Sequence, residues 1–153
     1  MKPEIYNTVS DTLYRIISKF REIEKIPRSF GIEKKLYPSE IHMVQAIGRD
    51  PGINVTGLAQ HLGVTKGAVP KILRKLESKG LVVRYRDDSN NKEVYFTLTA
   101  EGEKAYRGHE AFHATLDAQM VQMFSKFNEN EIDLILAVLG ELDSLADRAL
   151  HGT

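Results

Sequence analysis

Residues 55–80 contain two short apolar patterns separated by a tight turn, and this stretch limits the possible folds most. In VTGLAQHLGVTKGAVPKILRKLESKG, Leu58 and Leu62 lie four residues apart, as they would on one face of a helix. The second pattern repeats at steps of three and four and consists of Val69, Ile72, Leu73 and Leu76. Two amphipathic helices joined by LGVT predict a helix-turn-helix unit.

The ends of these two helices follow from residue types. Thr56 and Thr65 are predicted N-caps, because a threonine hydroxyl can accept a hydrogen bond from the first turn. Gly63 suits a left-handed position after the first helix, and Gly80 ends the second. Pro70 lies five residues beyond Thr65, where proline would remove a backbone hydrogen bond. The second helix therefore either begins later than Thr65 or bends.

The residues that follow predict a β-hairpin. LVVRYR and EVYFTLT are short runs rich in β-branched and aromatic residues, and they flank the polar tip DDSNNK. From Thr65 to Lys92 the chain holds eight basic and three acidic residues, a net charge of +5 on a chain whose formal net charge is zero. A local basic surface on a neutral chain is typical of phosphate binding. A solvated helix face beside a charged hairpin is the simpler alternative.

A helix-turn-helix followed at once by a two-stranded wing is an arrangement that reads DNA. The second helix lies in a major groove, and the wing reaches the backbone or the minor groove. A helix-turn-helix used only for packing, as in a protein-interaction scaffold, is the alternative. The predicted DNA-contacting residues are Thr65, Lys66, Gly67, Lys71, Arg74 and Lys75 on the helix, and Arg84, Arg86, Asn91 and Lys92 on the wing.

Amphipathic patterns flank this unit on both sides. They cover residues 4–25, a segment from about Glu101, and a last helix that begins with the capping box of Asn128 and Glu131. We expect a mainly α (α+β) fold in a single domain, in which 37–100 form the winged helix-turn-helix. Residues 1–36 and 101–153 then form a helical dimerisation region. A two-fold homodimer would present two reading heads about 34 Å apart to double-stranded DNA with a palindromic site.

Composition excludes several other classes of protein. The chain has no cysteine, so disulfides and thiolate metal sites are ruled out. No apolar run approaches the length of a membrane span, and MKPEIYNTVSDTLYR lacks the apolar core of a signal peptide. We therefore expect a cytoplasmic protein with no membrane partner.

The whole pattern resembles the MarR family of transcriptional regulators. The resemblance is carried by PSEIHMVQAIG, VTGLAQHLGVTKGAVPKILRKLESKGLV, RYRDD and FTLTAEG, and it covers nearly the whole chain. It implies a DNA-binding homodimer that is not an enzyme, that represses genes from a pseudo-palindromic operator, and that responds to a small effector. The wing tip reads Asn90-Asn91-Lys92 where such regulators usually carry an arginine, so Lys92 takes that place.

HEAFH at residues 109–113 matches H-E-x-x-H, the zinc-binding pattern of a metalloprotease helix. A peptidase also needs a third ligand and a cleft for its substrate. Glu129 is a candidate third ligand, but the residues after His113 are predicted to be helical and leave no strand to bind a peptide. A zinc peptidase is therefore the remote alternative, and two solvent-facing histidines spaced by chance are the simplest interpretation.

The chain also resembles the zinc-responsive members of the MarR family, and this resemblance implies a sensory metal site. Three imidazoles and one carboxylate form a tetrahedral set that suits one Zn2+ per subunit, although the ligand types alone do not separate zinc from nickel, cobalt or manganese. Glu22 is an alternative to Glu24 as the acidic ligand. Glu110 would then face solvent or support the ligands. A regulator that binds a small aromatic or apolar acid, with no metal, is the alternative. The implied ligands are Glu24, His42, His109 and His113.

Overall fold

The computed structural model of the protein describes residues 2–87 and 90–152. The chain divides into two compact units, Met1–Phe112 and His113–Thr153. The fold class predicted from the sequence is confirmed, because the chain is mostly helical with one small antiparallel sheet of the winged-helix type. None of the helices among the described residues is long and apolar enough to cross a membrane.

The first unit contains the helix-turn-helix and the wing in the predicted order. Its elements are α1 (Pro3–Ile23), α2 (Pro38–Arg49), β1 (Ile53–Asn54), α3 (Val55–Leu62), α4 (Val69–Ser78), β2 (Val82–Asp87), β3 (Asn90–Leu98) and the start of α5 (Ala100–Phe124). The sheet order is β1-β3-β2, and both pairings are antiparallel. The two-residue strand β1 was not predicted, because it is recognisable only through its pairing of Ile53 with Phe96.

The core of this unit lies against α2. Met43, Val44, Ala46 and Ile47 on this helix have no solvent exposure. Helices α3 and α4 and strand β3 all contact α2. The apolar side of the helix-turn-helix is therefore buried, which leaves its polar side as an exterior surface.

The cap of α3 differs from the one predicted by residue type. The side chain of Asn54, rather than Thr56, caps α3, and its Oδ1 accepts a hydrogen bond from the amide of Gly57 at 2.9 Å. Helix α2 begins at Pro38, and the carboxylate of Glu40 accepts a hydrogen bond from the amide of Tyr37 at 2.8 Å. Gly63 does adopt the predicted left-handed conformation, with φ of 62°.

The start of α5 packs directly against the backbone of the winged unit. Thr99, which precedes α5, makes two hydrogen bonds there. Its amide donates to the carbonyl oxygen of Leu81 at 3.0 Å, and its hydroxyl accepts from the amide of Gly102 at 3.0 Å. A Cβ atom added at Gly102 would lie 2.0 Å from that Leu81 oxygen. One turn and a half further on, a Cβ at Gly108 would lie 2.3 Å from the carbonyl oxygen of Phe30. Glycine at both positions lets the helix approach this closely.

The second unit consists of the rest of α5 and of α6 (Glu129–His151). The predicted capping box is confirmed at the start of α6. The amide of Asn128 donates to Glu131 Oε2 at 2.9 Å, and the amide of Glu131 donates to Asn128 Oδ1 at 3.1 Å. No side chain of α6 is buried.

The close approach at Gly102 predicts the effect of a single methyl group. We expect Gly102→Ala to lower the free energy of unfolding by about 1–3 kcal/mol, because the added Cβ overlaps a backbone atom that cannot rotate away. Urea denaturation followed by circular dichroism measures the change. Gly67→Ala is the matched control, since a Cβ there meets nothing within 4 Å. Equal denaturation midpoints for the two variants would contradict the packing described here.

Candidate functional site

Helix α4 begins later than Thr65, which is one of the two alternatives that Pro70 left open. Its first residue is Val69 and its N-cap is Ala68, so the prediction that Thr65 caps this helix is wrong. Residues 65–68 instead form a turn in which the amide of Ala68 donates to the carbonyl oxygen of Thr65 at 3.0 Å. Pro70 is then the second residue of the helix, where its amide would have no intrahelical acceptor. Proline therefore costs nothing here, and α4 has no need to bend.

The exterior side of α4 and its preceding turn is polar and cationic. Val69, Leu73 and Leu76 are at most 3% exposed and fix the helix to the core. All six residues that were predicted to contact DNA in this region are exposed. They are Thr65, Lys66 and Gly67 on the turn, and Lys71, Arg74 and Lys75 on the helix.

The wing places Arg84, one of its four predicted DNA-contacting residues, beside α4. Arg84 and Arg86 lie on β2 and are exposed. Arg84 Nε is 3.4 Å from Glu77 Oε1 on α4, but Arg84 is 71% exposed, so this ion pair contributes little to stability and leaves the guanidinium accessible. Asn91 and Lys92 belong to β3, and their side chains lie outside the described part of the structure.

A pair of histidines lies where α2 and α5 meet. His42 is on an exposed position of α2, and His109 on α5 is only 2% exposed. Their ring centroids are 5.6 Å apart. Phe30 closes the site on one side, with its ring edge-on to His109 at 5.2 Å. The sequence-predicted ligands His42 and His109 are thus brought together inside the first unit.

The other two predicted ligands are placed less closely. Glu24 follows the last residue of α1 and lines the same cleft as His42. His113 lies one helical turn beyond His109 along α5 and is the first residue of the second unit. Within residues 2–87 and 90–152, no three His, Asp or Glu side chains lie close enough together to hold a metal ion.

The spacing of the histidine pair is compatible with a shared ion. Two imidazoles on one tetrahedral zinc, with Zn–N bonds of about 2.0–2.1 Å, have ring centroids roughly 5 Å apart. The 5.6 Å between His42 and His109 is close to that distance. Nitrogen donors with a nearby carboxylate are the ligands that Zn2+ prefers. The residue types therefore suit zinc, and the spacing of His42 and His109 is compatible with two of the four ligands.

Glu110 has a contact that the sequence did not predict. Its carboxylate accepts a hydrogen bond from Gln45 Nε2 at 2.9 Å and lies 3.5 Å from Arg49 Nη2, and both partners are on α2. Glu110 thus joins α5 to α2, a role that the HEAFH spacing alone does not indicate. The remaining histidines, His61 and His151, are exposed.

A cleft with a volume of about 750 Å³ lies between α2 and the helix-turn-helix. Its walls combine apolar side chains with the cations of Lys71 and Lys75. Glu24 and His42 line it as well, so it borders the histidine pair. The cleft is large enough for a small organic molecule.

Comparison with known proteins supports the assignment of the helix-turn-helix and the wing. A sequence profile of the MarR family matches residues 36–94, which span α2 to most of β3. The HTH-type transcriptional regulator YhjH of Bacillus subtilis is 33% identical over 72% of this chain. The match covers 63% of the length of YhjH, so the chain spans a little under two thirds of that relative. The relatives that match are transcriptional regulators and not enzymes.

Two solved structures have the same fold over almost the full length of both chains. One is FabT of Streptococcus pneumoniae in complex with DNA, with a TM-score of 0.71, 26% identity, and coverage of 94% of this chain and 99% of FabT. The other is ZitR of Lactococcus lactis, a zinc-responsive MarR family member, with a TM-score of 0.78, 21% identity, and coverage of 92% and 97%. The exposed cationic helix, the adjoining wing and these matches lead to one conclusion: the chain belongs to the MarR family of DNA-binding transcriptional regulators.

Proposed function

We propose that the protein is a homodimeric repressor that binds a pseudo-palindromic operator through α4 and the wing, and that it works in the cytoplasm. The observation that carries this proposal is the exterior side of α4. Its apolar residues are buried on α2, while Lys71, Arg74 and Lys75 remain exposed, as do Arg84 and Arg86 on β2. Cations on a helix and an adjacent hairpin complement the negative charge of DNA phosphates.

The residues divide by what they would contact. Phosphate contacts position a protein on DNA, whereas contacts with base edges specify the sequence. Residues 65–67 and the first turn of α4 lie together at the N-terminal end of this helix. In the proposed complex, Thr65, Lys66 and Lys71 would therefore reach base edges or nearby phosphates. Arg84 and Arg86 would contact the backbone beside the groove. The structure of FabT with DNA supports this use of the fold.

Dimerisation is proposed from the apolar faces of the terminal helices. No side chain of α1 is buried, although it carries Val9, Ile16 and Phe20 at 44–62% exposure. Leu134, Leu139 and Leu145 on α6 are 51–66% exposed. Apolar surface of this extent is normally covered by another protein surface. A second copy of the chain is the simplest partner, and a two-fold pair would present two α4 helices to one duplex.

We further propose control by zinc at one site per subunit. His42, His109 and His113 would supply three nitrogen ligands and Glu24 an oxygen ligand. The 5.6 Å spacing of His42 and His109 supports the first pair, and the zinc-responsive ZitR has the same fold. A bound zinc would act as a crosslink between helices. In the chain itself, His42 lines the same cleft as Lys71 and Lys75 of α4, so a change at His42 is adjacent to the reading head. We expect metal to promote DNA binding.

An organic effector is the second candidate. The cleft of about 750 Å³ has apolar walls and two cations, Lys71 and Lys75, that complement a carboxylate. A small aromatic or apolar acid bound there would lie directly against α4 and would compete with DNA for both lysines.

The DNA interface predicts a change in salt dependence. We expect Lys71→Gln to weaken binding to a duplex that the wild-type protein selects from a randomised pool, and to lower the slope of log K against log salt by about 1. Fluorescence anisotropy at several salt concentrations measures both. Lys104→Gln removes the same charge from an exposed position on α5 and should leave the slope unchanged. Failure of the wild type to prefer any duplex over random sequence would refute the interface.

The dimer predicts sensitivity to charge on the apolar face of α1. We expect Phe20→Glu to convert the protein from a dimer to a monomer, because Phe20 is 62% exposed within the apolar stripe. Size-exclusion chromatography with light scattering gives the mass. Ser18→Glu adds the same charge on the opposite face of the helix and should remain dimeric. A wild-type protein that is monomeric at micromolar concentration would contradict the proposal.

The metal site predicts a selective loss of zinc binding. We expect His42→Ala to weaken binding of Zn2+ to EDTA-treated protein by at least about tenfold, and to remove the tetrahedral visible spectrum when Co2+ is used as a probe. His42 is exposed, so this substitution spares the core. His61→Ala, also at an exposed histidine, is the control and should bind like the wild type. Equally weak uptake by all three proteins would exclude the site.

A further inference from the structure

Lys79, the residue that follows α4, is directed away from solvent and towards a buried carboxylate. Its Nζ lies 2.7 Å from Glu40 Oε2 on α2, where the side chain of Glu40 is only 3% exposed and that of Lys79 is 25% exposed. The same ammonium group donates to the carbonyl oxygen of Lys35 at 3.0 Å. The carboxylate of Glu40 also accepts from the amide of Tyr37 at 2.8 Å. Both charges are thus committed to partners inside the protein.

A second contact holds the same end of α4. Lys34 Nζ donates to the carbonyl oxygen of Lys79 at 2.6 Å. The last carbonyls of a helix have no intrahelical partner and carry the negative end of the helix dipole, so a lysine ammonium stabilises them. The C-terminal end of α4 is therefore fixed at two atoms of Lys79 by residues 34–40, which lead directly into α2.

This pair differs from the surface ion pairs of the protein. In Lys25–Glu22 and Lys104–Glu101 both side chains are at least 42% exposed, so water competes for each charge. Removal of one partner from a buried pair leaves an uncompensated charge, which destabilises the arrangement that buried it. The orientation of α4 on α2 is consequently tied to the Glu40–Lys79 contact.

A small change in that orientation has a large effect at the other end of the helix. Helix α4 has 10 residues, and with a rise of about 1.5 Å per residue a tilt of about 10° at its C-terminal end moves the first turn by about 2–3 Å. Hydrogen bonds tolerate N···O distances only between about 2.7 and 3.2 Å. A shift of this size would therefore disrupt contacts with base edges while leaving general attraction to phosphates intact.

We propose that Glu40 and Lys79 form a positioning pair that sets the angle of α4 for sequence-specific DNA binding, and that Lys79 makes no phosphate contact despite lying in the cationic stretch. This inference rests on the proposed function, in which α4 reads DNA. It separates Lys79 from the exposed Lys71, Arg74 and Lys75 by role, although all four belong to the same run of basic residues.

Whether Glu40→Gln weakens or tightens DNA binding distinguishes a positioning role from simple electrostatics. This substitution removes a negative charge, so electrostatics alone predicts tighter binding to any duplex. We expect about five- to tenfold weaker binding to the duplex selected by the wild type and unchanged or tighter binding to a random duplex. Unfolding midpoints, measured first, restrict the comparison to folded protein. Tighter binding to the selected duplex would overturn the proposal.

The salt dependence of Lys79→Gln provides a second, independent readout. We expect affinity for the selected duplex to fall about tenfold with no change in the salt slope, whereas Lys71→Gln lowers the slope by about 1. The double variant Glu40→Gln with Lys79→Gln removes both buried charges, and we expect it to bind better than Lys79→Gln alone. This double variant keeps the test decisive if a single variant is poorly folded.

The two proposals fail in different ways. A lower salt slope for Lys79→Gln, together with a double variant no better than the single one, would show a phosphate contact and overturn the positioning role alone. An unchanged slope and affinity for Lys71→Gln would instead overturn the interface itself, and the positioning role with it.

Discussion

The first unit depends on the burial of one face of α2. Met43, Val44, Ala46 and Ile47 are fully enclosed, and each large aliphatic side chain buried in this way contributes about 1.5–3 kcal/mol. Because α3, α4 and β3 all contact this helix, it determines where the reading elements lie. The other faces of α2 are then available for polar contacts, with Glu40 near one end, His42 on an exposed position, and Gln45 and Arg49 towards the other end.

The cationic residues between Thr65 and Lys92 have different surroundings although they have the same charge. Lys71, Arg74 and Lys75 are exposed, whereas Lys79 is held against the buried carboxylate of Glu40. Water screens the first group, so these cations are available to a phosphate that arrives from solution. The Glu40–Lys79 pair is largely shielded from water and instead holds two helices together. A local net charge therefore overstates the number of cations that DNA can meet.

Several features were predictable because they depend on local residue patterns. The order of the helices and of the hairpin strands β2 and β3, the capping box of Asn128 and the left-handed Gly63 all agree with the sequence. The caps of α3 and α4 were not predicted correctly. Two polar residues near the start of α3 can cap it, and Asn54 does so rather than Thr56. Helix α4 begins beyond Thr65, and Ala68 at its start has no side-chain cap. The conflict at Pro70 was recognised in the sequence, and the later start of α4 resolved it.

The amino-acid sequence by itself determined the winged helix-turn-helix and the local surplus of basic residues, since periodicity and charge are properties of short stretches. It also identified His42 and His109 as candidate ligands, through the resemblance to zinc-responsive relatives. Only the tertiary structure decided which groups meet across long separations in the chain: Glu40 with Lys79, His42 with His109, and Gln45 with Glu110. Such contacts arise from the packing of α4 and α5 on α2, which requires the whole core to form, so no local pattern encodes them.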